Sequence, residues 1–74
     1  MTVFPDPSSI KIILSFSSPE KKQIHVTNTL GQIVFAEEIN SAKEEIDVSE
    51  FPAGMYVVSA QTAMQKIEKK FLKE

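Results

Sequence analysis

Ile10, Ile12, Leu14 and Phe16 alternate with Lys11, Ile13 and Ser15, a period of two that only a half-buried strand satisfies. The pattern keeps returning. Ile24 and Val26 alternate with His25 and Thr27, residues 32–38 form a third run, residues 45–48 a short fourth, and residues 55–61 are the most β-prone stretch of the chain. Turn residues separate the runs: Ser17-Ser18-Pro19-Glu20, Asn28-Thr29-Leu30-Gly31 with Gly31 suited to a positive φ, and Pro52 with Gly54. Seven short runs at roughly ten-residue spacing predict an all-β fold, a seven-stranded antiparallel Ig-like β-sandwich. Parity along the runs nominates a core of Ile12, Leu14, Phe16, Ile24, Val26, Ile33, Phe35, Ile46, Val48, Tyr56, Val58, Ala60, Ile67 and Phe71.

Two segments pull toward helix. Ser41-Ala42-Lys43-Glu44 fits a capping box, but too few residues follow before Phe51-Pro52, and Ile46 and Val48 are β-branched. A turn leading into a strand is the better reading. At the end of the chain, Met64, Ile67, Phe71 and Leu72 sit at amphipathic-helix spacing in good helix formers. As a strand, the same segment would put Lys69 on the face of Ile67 and Phe71, at a rim or a bulge. Local pattern alone leaves helix ahead of strand here.

With 74 residues and no cysteine, the chain has neither a disulfide staple nor a thiolate metal site. A domain this small rarely gains more than about 3–5 kcal/mol from its core. The formal net charge is −2, and every cation is a lysine or the single His25, so the guanidinium used for phosphate and guanine contacts is absent. That chemistry disfavours nucleic acid as a partner. Charge is uneven: residues 37–50 hold six acids against Lys43, and residues 64–74 hold four lysines against two acids. No apolar run reaches the ~18 residues of a membrane span, and no secretory leader is visible. Met1-Thr2 stands so close to the first motif that residues 1–74 read as one domain excised from a larger exported protein.

Enzymatic chemistry has little to stand on. His25 has no second nitrogen or thiolate for a metal, and no serine lies in a G-x-S-x-G elbow. Glu37-Glu38 and Glu44-Glu45 are adjacent pairs whose members alternate across a strand, which does not make a paired-carboxylate site. No phosphate-binding glycine loop is present, and neither a cofactor nor a metal is expected. Phe4-Pro5-Asp6-Pro7 fixes two φ angles and reads as a rigid lead-in. Gly31, Pro52 and Gly54 read as backbone-geometry residues, and Tyr56 as a core-edge aromatic whose hydroxyl finds a backbone partner.

Taken in order, several pieces resemble one family: the Pro5-Asp6-Pro7 start, Leu30-Gly31-Gln32-Ile33-Val34, Ile46-Asp47-Val48-Ser49, Phe51-Pro52-Ala53-Gly54-Met55-Tyr56-Val57-Val58, and Lys69-Lys70-Phe71-Leu72-Lys73. Residues 3–73 are similar to the C-terminal sorting domain of cargo for the bacterial type IX secretion system. Members usually carry Asn where Asp6 stands, and Leu and Val are commoner than Phe51 and Met55. The resemblance implies a secretion and sorting signal, not an enzyme, which takes attached cargo across the periplasm to the surface of a Bacteroidetes-type cell. It implies as partners an outer-membrane translocon with its shuttle protein, a cell-surface sortase that removes the domain, and a covalently linked upstream cargo domain. It also places residues 69–73 on the closing strand, with Phe71 in the core and the lysines outside. On that reading, removal of residues 70–74 is expected to spare most of the fold. A weak homodimer through a strand edge is a further expectation. The alternative is a generic Ig-like adhesion or carbohydrate-binding module, against which one Tyr and no Trp weigh.

Overall fold

The period-two runs become seven strands: β1 (Thr2–Phe4), β2 (Lys11–Ser15), β3 (Lys22–Thr27), β4 (Ile33–Ile39), β5 (Lys43–Asp47), β6 (Gly54–Gln61) and β7 (Lys66–Lys73). The computed structural model describes residues 1–5, 7 and 10–74, so Asp6 lies outside the described residues. All pairings are antiparallel, in a three-stranded sheet of order β1-β2-β5 and a four-stranded sheet of order β4-β3-β6-β7. In Ig terms, β1, β2 and β5 stand as strands A, B and E, and β3, β6 and β7 as C, F and G. Strand β4 joins the second sheet beside β3.

Inward residues from both sheets meet in one core of Ile12, Leu14, Ile24, Val26, Ile39, Ile46, Val48, Tyr56, Val58, Ala60 and Phe71. Phe16 and Phe35 are half-buried against it. Ile67 is also only half-buried, being near the turn end of the edge strand β7.

Ile33 does not join the core as its parity predicts; it is 60% exposed. Val26 pairs with Phe35 but Thr27 pairs with Ile33, so a β-bulge absorbs one residue and turns Ile33 to the outer face. Ile39 joins the core instead, because β4 keeps its inward parity through Phe35, Glu37 and Ile39 opposite Val26, Ile24 and Lys22. Nothing local in the sequence marks the bulge.

The terminal segment is a strand and not a helix. Its eight residues pair without interruption from Gly54↔Lys73 to Gln61↔Lys66, so tertiary pairing overrides helical propensity. The connecting turn is fixed by Thr62, whose N–H donates to the Gln65 carbonyl at 2.8 Å while its hydroxyl accepts from the N–H groups of Met64 and Gln65, each at 3.2 Å. One expectation fails: Lys73 is 7% exposed, on the inner-face parity of Phe71, and does not stand outside with the other lysines.

The β3–β4 turn is held by Asn28. Its Oδ1 accepts from the N–H groups of Leu30 and Gln32, both at 3.0 Å, and its carbonyl accepts from Gly31 at 3.0 Å. Gly31 has φ +82°, the left-handed region that glycine enters without strain.

Candidate functional site

The residues singled out from the sequence fall into two groups around β6 and β7. The first group points inward. Tyr56 and Phe71 are register partners, and their rings stack with centroids 5.4 Å apart and planes at 19°. Phe51 leans on Tyr56 at 5.4 Å and 44°, and the Tyr56 hydroxyl donates to the Pro52 carbonyl at 2.5 Å. A strand-F tyrosine bonding back to backbone a few residues upstream is the tyrosine corner of Ig-like sandwiches. Gly54 opens β6 opposite Lys73, with φ +148°. Pro52, Gly54, Tyr56, Phe71 and Lys73 thus form one structural unit that locks the last strand to the turn before β6.

The second group points outward. Lys70 pairs with Val57, and Leu72 with Met55, on the outer face of the four-stranded sheet. Lys69 has inner-face parity opposite Val58, yet it is exposed because β7 is an edge strand. The rim predicted for Lys69 is therefore found, without a bulge. Gly31 belongs to a turn that approaches this region: Asn28 and Thr29 bound a hollow of about 170 Å³ together with Met55, Tyr56, Val57 and Lys70. Pro5 and Pro7 are exposed beyond β1, in the part of the chain that leads to β2.

Sequence reasoning missed Lys22. Its ammonium is buried and donates to the carbonyls of Ser18 at 2.9 Å, Glu20 at 2.6 Å and Ser41 at 3.0 Å, and it lies 4.6 Å from the Phe16 ring centroid. This ties the 17–21 loop of one side to the 40–42 connection between the sheets. The available signal was parity, since Lys22 continues the inward series of Ile24 and Val26.

Two acids also have inner-face parity. Glu37 on β4 is opposite Ile24, and Glu44 on β5 is opposite Leu14, both on edge strands linked by residues 40–42. A hydrogen bond with Glu37, then partial desolvation and the Glu37 charge, raise the Glu44 carboxyl above its ordinary 4.5. A proton therefore favours the folded state. That contribution is full below the unfolded value and disappears as pH rises through the folded one. At neutral pH the ionised pair repels, so Glu44→Gln is expected to raise the melting midpoint slightly. The gain is a few tenths of a kcal/mol, as both carboxyls face water. It should vanish in melts recorded below pH 4.5; a gain that persists there would show that charge is not its origin. Asp47 shifts the other way, held low by the hydroxyl and backbone N–H of Ser49.

Fold and site together define a small Ig-like β-sandwich whose distinctive residues lock and present a terminal strand, in keeping with a non-catalytic domain. A DUF3244-family protein of Bacteroides vulgatus, described as an immunoglobulin-like β-sandwich, is similar with TM-score 0.85 and 26% identity over 99% of this chain and 82% of that one. The comparison with curated proteins gave no match. Residues 2–74 match the secretion system C-terminal sorting domain, and the chain belongs to that family. It is thereby a type IX sorting signal, which engages the secretion machinery as cargo and leads to the cell surface or the medium.

Proposed function

We propose that residues 1–74 act as one sorting domain at the end of a larger exported protein. The domain crosses the periplasm with its cargo, meets the outer-membrane translocon and its shuttle protein, and is removed at the surface by a sortase. Its signal comprises Pro5, Asp6, Pro7, Gly31, Pro52, Gly54, Tyr56 and residues 69–73, and weak self-association through an open strand edge belongs to the same reading. The observation that supports it most is that the family match spans the chain while its terminal segment forms a full-length edge strand.

Fusion of residues 1–74 to a periplasmic reporter, in a bacterium with a working type IX system, tests this. The reporter is expected at the cell surface or in the medium, shortened by the domain. A reporter that stays periplasmic overturns the sorting role. Delivery with the domain still attached overturns only the sortase step. An adhesion or carbohydrate-binding role has no observation in its favour.

A further inference from the structure

The outer face of the four-stranded sheet is divided along its strands. Toward the 62–65 turn its cross-strand rows are mostly polar: Ala36, His25, Ser59 and Glu68 in one, Glu38, Gln23, Gln61 and Lys66 in the next. Toward the other end they are apolar. One row runs Ile33, Thr27, Val57, Lys70, and the next pairs Met55 with Leu72. Ile33 is 60% exposed, Met55 42%, Val34 41% and Leu72 39%, a concentration far from the single exposed apolar residues that need no explanation. The β-bulge is what turns Ile33 into this row. Part of this face is concave: Asn28, Thr29, Met55, Tyr56, Val57 and Lys70 line a hollow of about 170 Å³.

We propose that this apolar hollow is the surface by which the domain docks on the secretion machinery, and that the partner presents an apolar side chain next to a carboxylate. The inference rests on the sorting-domain reading and adds which part of the signal is touched. Charge decides the occupant. The ion pairs among the described residues are Lys11–Glu45, Lys21–Glu38 and Lys66–Glu68, which leaves Lys70 beside the hollow with no acid of its own. A carboxylate entering with the apolar knob would meet it in a partly dewetted site, where such a pair sets orientation and specificity. A second copy of the chain would instead bring another lysine-rich β7 against Lys69 and Lys70, a like-charge encounter. Phe71 and Lys73 point into the fold, so of the terminal motif only Lys70 and Leu72 reach this partner. Phe71 is a positioning residue for them.

The test uses the reporter fusion of residues 1–74, with melting midpoints of the isolated variants measured alongside. Met55→Glu combined with Ile33→Glu, and Lys70→Glu alone, should melt close to the parent. Both should lower surface delivery about tenfold or more, as loss of a central anchor does. Lys70→Arg should deliver normally. Met64→Glu, a substitution of an 89% exposed side chain at the opposite end, should also deliver normally. Should the double variant unfold, Met55→Ala with Leu72→Ala keeps the face apolar but shallow and is expected to lose delivery in the same way. Full delivery by folded patch variants overturns the proposal while leaving the sorting reading intact, and failure of the parent fusion removes both. Light scattering that shows a dimer dispersed by Met55→Glu would assign the face to self-association and overturn the proposed partner.

Discussion

Phe71→Ala is expected to leave most of the isolated domain unfolded at room temperature. The ring is fully buried, is the largest such side chain, and stacks on Tyr56. Phe→Ala in a core costs about 3–5 kcal/mol, which equals the whole net stability that a core of this size supplies. Circular dichroism and amide NMR dispersion should report the loss, and Phe71→Leu should recover part of it. A cooperative melt of Phe71→Ala near the parent midpoint would show that the ring is not the closure of the core. The same reasoning revises the expected effect of removing residues 70–74. That truncation takes away Phe71 and the Gly54–Lys73 pairing together, so it disrupts the fold as well as any signal. Lost delivery by such a truncation is therefore no evidence of recognition, and outward-facing substitutions at Lys70 and Leu72 are the informative ones.

Gly54→Val should lower stability by roughly 1–3 kcal/mol, and Gly54→Ala by nearly as much. The near-equality is the informative part. A Cβ built on Gly54 has no atom within 4 Å, so there is no clash for the larger side chain to worsen. The cost lies in φ +148°, a backbone state that any Cβ strains. For a domain of this length the midpoint should fall by about 4–8 °C per kcal/mol. Valine much worse than alanine would point to crowding and away from backbone strain.

The sandwich was legible in the sequence because both of its codes are local. Parity sorted Ile12, Leu14, Ile24, Val26, Ile46, Val48 and Val58 to the inside, and turn chemistry placed Gly31 and Gly54 at their positive φ angles. What escaped depends on pairing between distant segments. The bulge opposite Val26 and Thr27 exists only in the register of β3 with β4, so Ile33 was misplaced. At the terminal strand, propensity and parity disagreed, and only the ready partner β6 resolves them; propensity scales contain no partner. The candidate site was half legible: its residues were named as one linear motif, whereas β7 sends Phe71 and Lys73 inward and Lys70 and Leu72 outward. The hollow beside Lys70 includes Asn28 and Thr29, some forty positions away in the chain, and no local pattern brings them together.

Lys22 has a consequence for a protein that changes surroundings during its life. Its ammonium is held by three carbonyl dipoles and an aromatic face, and by no carboxylate. Mobile ions screen exposed charge pairs over distances of about 8–10 Å at ordinary ionic strength, but they have little access to a buried cation and its neutral acceptors. The exposed pairs Lys21–Glu38 and Lys66–Glu68 are expected to fade in concentrated salt, while the knot at Lys22 persists. The melting midpoint of the parent domain should therefore change little between dilute buffer and molar sodium chloride, and a steep fall would locate its stability in the surface pairs instead. A domain fastened in this way keeps one shape as the ions around it change, so its outward-facing residues stay in a fixed arrangement in dilute and concentrated media alike.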